Sequence, residues 1–159
     1  MILEPLFSRS VRMRSKVGLS LSPHLHFVDP SLACAALRTQ TEDPMDDLGA
    51  LGLLFESLVI RDLRTYSQEA RGEVRFFGSY DDDEIDAIIT YGNKRWAACE
   101  IKLNPEKAPA AAEDLNRIIR KIDTDHAGKP AFKAVITGFG TCRELDDGVF
   151  QIPVGCLGA

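Results

Sequence analysis

The sequence predicts an α/β domain of strands and helices. Three observations carry this. Short β-branched or aromatic runs bounded by Gly, Asn or Asp recur from residue 74 onward. Gly92-Asn93 between two of them signals an antiparallel hairpin. The third run is joined to the fourth by a helical stretch, and strand, helix, strand implies a parallel crossover.

Taken in order, residues 1–25 are polar and basic, with Arg9, Arg12, Arg14 and Lys16 against Glu4 alone, and are punctuated by Pro5, Gly18 and Pro23. They read as a basic linker or arm, with a transit peptide as the alternative, and the folded domain is expected over 26–159. Asp29-Pro30 before Ser31 to Leu37 supplies an N-cap acid and a first-turn proline, hence a short helix. From Asp46 to about Ala70, Leu48, Leu51, Phe55, Leu58, Val59, Leu63 and Tyr66 recur at helical spacing. Gly49 and Gly52 weaken the first turns of that helix by about 1 kcal/mol each relative to Ala, a cost expected where another backbone approaches closely. Strands follow at Val74 to Phe77, Glu84 to Tyr91, Arg95 to Leu103, Ala131 to Thr137 and Val149 to Pro153. The crossover helix runs from Ala108 to Ile122, with Leu115, Ile118, Ile119 and Ile122 on one face.

Composition narrows the function. The chain has 159 residues, 45% hydrophobic and 27% charged, enough for one core. With 19 Lys and Arg against 24 Asp and Glu, the net charge of −5 does not draw the whole molecule onto DNA, so any nucleic-acid contact needs a local patch. Arg61, Asp62 and Arg64 interrupt the richest apolar run well short of the roughly 18 residues a spanning helix needs, which excludes a membrane partner. Cys34, Cys99, Cys142 and Cys156 form no C-x-x-C pair, so neither a zinc ribbon nor a redox motif is present; reduced thiols and a cytoplasmic location are the expectation. No P-loop, G-x-S-x-G elbow or dinucleotide fingerprint occurs. His24, His26 and His126 have no partner at metal-ligand spacing along the chain and read as surface or capping residues.

The chemistry concentrates in two strands. Alternation puts Trp96, Ala98, Glu100 and Lys102 on one face, so Glu100 and Lys102 are neighbours about 6–7 Å apart at Cα. Asp86 interrupts the apolar strand before them. Facing residues of a hairpin share a constant index sum, so pairing Asp86 with Glu100 also pairs Tyr91 with Arg95 and requires the three-residue loop Gly92-Asn93-Lys94 or a bulge. Two carboxylates and a lysine suit Mg²⁺-assisted phosphodiester hydrolysis, in which the cation takes oxygen ligands and the lysine stabilises phosphate charge. Spacing alone favours a structural ion pair of Lys102 with Glu100 or Asp86. Glu56, one turn after Gly52, lies at the edge of its helix's apolar stripe, where a glutamate ordinarily reaches water.

The order Glu56 on a helix, Glu84-Ile85-Asp86, a hairpin turn and Cys99-Glu100-Ile101-Lys102 resembles the D…E-x-K signature of restriction-endonuclease-like nucleases. More narrowly, His26 to Leu32, Gly52 to Leu63 and Asp147 to Pro153 resemble the C-terminal domain of unknown function that follows the ATPase module in a family of prokaryotic AAA-type ATPases, over roughly residues 24 to 157. The resemblance implies a restriction-endonuclease-like core, a central mixed β-sheet flanked by α-helices. It implies Asp86, Glu100 and the Ile101 carbonyl as ligands to Mg²⁺ or Mn²⁺, Lys102 as the catalytic cation, and Glu56 as a further ligand or water-binding carboxylate. Two departures stand out: Phe76-Phe77 is followed by Gly78-Ser79, where members usually carry an aromatic-Arg pair, and the ATPase module is not in this sequence.

A metal-dependent DNA nuclease using Asp86, Glu100 and Lys102 is therefore the first functional expectation. The second is a non-catalytic DNA- or protein-binding module that works with an ATPase module or separate ATPase chain; Arg117, Arg120 and Lys121 are its candidate phosphate contacts, although a solvated helix face is their default reading. A defence component rests on family analogy alone. A homodimer is a further expected partner arrangement.

Overall fold

The structure is a computed structural model and describes residues 3–9, 22–36, 48–79, 81–92 and 95–158. Arg12, Arg14 and Lys16 of the basic arm, Leu37, Asp46, Asn93 and Lys94 lie outside these residues.

The chain opens with a two-stranded antiparallel ribbon, β1 (Leu3–Leu6) on β2 (His24–Phe27). This corrects the expectation of a connector at both positions: Leu6 is fully buried in the core beneath the second helix, and the strand β2 begins before residue 26. Helix α1 (Pro30–Ala36) starts where Asp29 Oδ1 accepts the Ser31 N–H at 2.9 Å. Helix α2 (Leu48–Glu69) buries Phe55, Val59 and Leu63 of the expected stripe and Ile60 beside them, whereas Leu48, at its first residue, is exposed. A Cβ at Gly52 would meet nothing within 4 Å, so the close backbone approach expected there does not occur.

The six-stranded sheet runs β3 (Glu73–Gly78), β4 (Glu84–Tyr91), β5 (Arg95–Lys102), β6 (Phe132–Thr137), β8 (Phe150–Pro153), β7 (Arg143–Glu144) across its width. The strands β3, β4 and β5 form an antiparallel meander, β5, β6 and β8 are parallel, and β7 closes the edge antiparallel. Helix α3 (Ala108–Lys121) makes the crossover from β5 to β6, entered through a turn where Asn104 Oδ1 accepts the Glu106 N–H at 3.0 Å, and the short α4 (Thr124–Ala127) follows it. Strand alternation sorts the core into two layers. Ala87, Ile89, Ala97, Cys99, Ile101, Ala134 and Ile136 face α2, while Ile88, Trp96, Ala98 and Val135 face the Leu115, Ile118 and Ile119 stripe of α3. Burying each such large aliphatic side chain contributes about 1.5–3 kcal/mol.

Strand β4 contains a bulge. Arg75 pairs with Ile88 but Phe77 pairs with Ile85, so Asp86 and Ala87 together face one residue of β3. As a result Ile85 and Ile88, an odd number of positions apart, both join the α3-side core, and the strand is re-aimed at Asp86.

Candidate metal centre

The hairpin holds the register that needs a three-residue loop: Tyr91 faces Arg95, and the pairs continue to Ala87 opposite Cys99. Beyond that pair the Asp86 side chain takes over from the ladder. Its Oδ2 accepts the Ile101 N–H at 2.7 Å and the Lys102 ammonium at 3.1 Å. Lys102 Nζ also donates to Glu100 Oε2 at 2.9 Å. The structure thus brings Asp86, Glu100 and Lys102 together at the C-terminal end of β5. Glu100 is 6% exposed, and its second oxygen, Oε1, is buried with no hydrogen-bond partner among the described residues. A buried carboxylate oxygen left unpaired costs free energy that a cation would recover.

The electrostatics agree with a site short of positive charge. Burial, and then repulsion from Asp86, pushes Glu100 up to about 8 despite Lys102. Burial acts to lower the Lys102 ammonium, but Asp86 and Glu100 outweigh it and hold the group above its ordinary value. Glu56, on α2, feels the same field: burial lifts it to about 7, with Asp86 and Glu84 adding to the shift.

Strand β2 faces this cluster across Glu56. His24 and His26 are two residues apart and so share a face, and each offers a donor atom within 4.8 Å of the other and of a Glu56 oxygen. This His/His/Glu cluster can coordinate a metal ion. His26 is buried, with Nε2 at 3.9 Å from Glu56 Oε1 and no hydrogen-bond partner among the described residues. Ser57 Oγ lies 3.5 Å from the other ring nitrogen, Nδ1, and accepts the Phe27 N–H at 3.3 Å. Burial, with His24 and Arg64, holds His26 down to about 4, so its imidazole is neutral at pH 7. His24 is half-buried, stacks on Phe76 at 3.9 Å between ring centroids, and places Nδ1 3.4 Å from Glu84 Oε1.

A family model for a domain of unknown function, DUF4143, matches residues 51–157 of the 159. The chain belongs to the DUF4143 family. Curated proteins and solved structures give no match. The DUF4143 match takes in Glu56, Asp86, Glu100, Ile101 and Lys102 and stops short of β2, so the two histidines lie outside it.

Two sequence expectations change in this DUF4143 domain. His24 and His26, read as surface or capping residues, form part of a polar cluster; the H-x-H spacing on a strand was the available signal, but their partner Glu56 is 30 residues away and only the packing of β2 on α2 supplies it. His126 stays apart, in the last turn of α4. The crossover cations also differ from the expectation. Asp83 is buried and binds Arg117 Nη1 at 2.6 Å and the Lys121 ammonium through its other oxygen, which ties both side chains to the loop before β4. Among the described residues no helix is long and apolar enough to cross a membrane.

Proposed function

We propose that this domain is a metal-dependent DNA nuclease centre with a restriction-endonuclease-like core, in which Asp86, Glu100 and the Ile101 carbonyl hold Mg²⁺ or Mn²⁺ and Lys102 is the catalytic cation. The observation that carries the reading is the unpartnered, buried Glu100 Oε1 beside Asp86, on a carboxylate pair that shares one lysine. A hard divalent cation fits that all-oxygen donor set. Bound there, it supplies Lewis-acid polarisation of the phosphodiester and of the attacking water.

The chain's own residues do the rest. Asp86 and Glu100 are fixed by β4 and β5, and the Ile101 N–H bond pins the Asp86 carboxylate. The Ile101 C=O points to the same side of β5 as its N–H, as in any strand, which turns it toward Asp86. Lys102 stays charged and meets the negative charge that develops on phosphate, a task in which losing one group costs factors of hundreds or more. The resemblance gives Glu56, on α2, as a further ligand or water-binding carboxylate, and Asp86 and Lys102 both act on its charge. Family resemblance supports a place beside an AAA-type ATPase, as a module or as a separate chain.

A second reading, a non-catalytic DNA- or protein-binding module, is favoured by Gly78-Ser79 where an arginine is expected and by the two acids that already engage Lys102. One experiment separates the two. Purified protein is incubated with Mn²⁺ or Mg²⁺ and labelled single-stranded, duplex and branched DNA, with Lys102→Ala and Asp86→Asn as controls. The nuclease reading expects metal-dependent cleavage that falls by several orders of magnitude in Lys102→Ala while metal affinity and most DNA affinity persist. It also expects Asp86→Asn to lose the stabilisation that metal gives the wild type. No metal-dependent cleavage of any of these DNAs, or cleavage undiminished in Lys102→Ala, overturns it.

A further inference from the structure

We infer that His24, His26 and Glu56 form a second cation site, separate from the oxygen-only site, that takes a borderline divalent ion such as Mn²⁺ or Zn²⁺ in preference to Mg²⁺, and that Glu56 links the two. The inference does not rest on nuclease activity.

Three observations carry it. The first is spacing: donor atoms on a tetrahedral ion at about 2.1 Å from the metal stand about 3.4 Å from one another. His26 Nε2 and Glu56 Oε1 are 3.9 Å apart, and the whole set lies within 4.8 Å, so small side-chain rotations close the cluster on an ion. The second is the orphaned nitrogen. His26 is 5% exposed, and its Nε2 is aimed at Glu56 from a distance too long for a hydrogen bond, with no other partner. No group among the described residues satisfies it, whereas a cation between it and Glu56 would.

The third is the support behind the ligands. Metal-bound imidazoles are oriented through the ring nitrogen that does not bind metal. Ser57 follows Glu56 on α2 and sits at Nδ1 of His26, while its hydroxyl is itself anchored by the Phe27 N–H. Adjacent residues of one helix therefore address the two nitrogens of one ring. His24 is steadied by the Phe76 ring and Glu84.

The donor set fixes the class of ion. Two imidazole nitrogens and one carboxylate suit Mn²⁺, Co²⁺ or Zn²⁺, whereas Mg²⁺ demands oxygens and keeps its waters. Three protein ligands leave a position open, and Glu56 and His24 are both partly exposed, so that position faces solvent.

The test uses electron spin-echo spectroscopy of Mn²⁺ bound to the untagged 159-residue chain, which reads ¹⁴N coupling from a ligating imidazole. The chain has only three histidines, so the signal is assignable. Wild type is expected to show the coupling, His26→Gln and His24→Gln to weaken or lose it, and Asp86→Asn and His126→Gln to keep it. Ser57→Ala is expected to weaken Mn²⁺ or Zn²⁺ about 10- to 100-fold in calorimetric titration without removing the coupling. Bound Mn²⁺ without ¹⁴N coupling in wild type, or coupling undiminished in both His24→Gln and His26→Gln, overturns the site. Should His26→Gln fail to fold, wild type and the half-exposed His24 decide the matter. Absent DNA cleavage with nitrogen coupling intact rejects the nuclease reading alone; the reverse pattern rejects this site alone.

Discussion

Asp83 and Glu100 expose similarly little surface, 5% and 6%, but Asp83 lies just beneath the surface and Glu100 deep within the protein, and their pKa values move in opposite directions. Burial disfavours the charge of both. Around Asp83 two cations from α3 outweigh it, Arg117 on one oxygen and Lys121 on the other, and the carboxyl is held below its ordinary value. Around Glu100 a single lysine is divided with Asp86, one oxygen has no partner, and burial wins. Low exposure of an acid therefore says little about its role; its depth and the ratio of nearby cations to carboxylates say more. A compensated acid fastens a loop to a helix, and an under-compensated one is the feature on which the proposed cation site rests.

The largest expected effect on stability tests the compensated side. Asp83→Ala removes two charge-assisted hydrogen bonds, and because Arg117 and Lys121 are half-exposed and can rehydrate, the loss is put at about 2–3 kcal/mol. Urea denaturation measures it, and the metal-induced stabilisation should survive unchanged. A loss of metal response in this variant would erase the distinction between the two acids.

Glu100→Gln tests the other side. With metal chelated, removing a charge that burial and Asp86 both oppose is expected to stabilise the protein by about 1–2 kcal/mol near pH 8, and the response to Mg²⁺ should disappear. A destabilised variant that still responds to Mg²⁺ speaks for a structural ion pair with Lys102.

The same contrast sets the pH dependence of the chelated protein. Glu56 and Glu100 rise from the ordinary 4.5 to about 7 and about 8, so between those values the native state binds more protons than the unfolded chain, and stability falls as pH rises. His26, lowered from 6.5 to about 4, works the other way, since the unfolded imidazole binds the extra proton between those limits. The two trends oppose each other up to pH 6.5, above which only the glutamates act. Calorimetric scans should show the melting temperature dropping between pH 6.5 and 8, and the part of that drop above pH 7 should be missing in Glu100→Gln. A flat profile in the wild type contradicts the burial of charge described for Glu100.

The smallest effect concerns Gly52, one turn before Glu56. Its surroundings are open, so Gly52→Ala should gain about 1 kcal/mol through helix propensity alone and leave metal binding untouched. Weaker metal or DNA binding in this variant would mean that the space is kept for a ligand beside Glu56.

Much of this architecture was legible along the chain because it is local. The bounds of β4, Glu84–Tyr91, coincide with its β-branched run, and α3 starts at Ala108, as its stripe predicts. Even the β4–β5 register follows from asking Asp86 and Glu100 to face each other across an odd loop. The bulge at Asp86 left no such trace, since Glu84 to Tyr91 reads equally well as a regular strand.

The sequence by itself determined the hairpin, the crossover and the two-layer core, because a period of 2 or 3.6 residues is set by backbone geometry and needs no distant partner. It also determined which carboxylates and which lysine lie at the end of β5. Only the tertiary structure decided which charges are compensated. Asp83 stands in the sequence beside Asp81 and Asp82, and only α3, 34 residues on, delivers Arg117 to it. His26 looked like a lone histidine until β2 paired with β1 and settled on α2, bringing Glu56 and Ser57 to its two nitrogens. The physical reason is common to both: a charge or a lone pair is settled by whatever lies within a few ångströms, and chain separation gives no information about that distance.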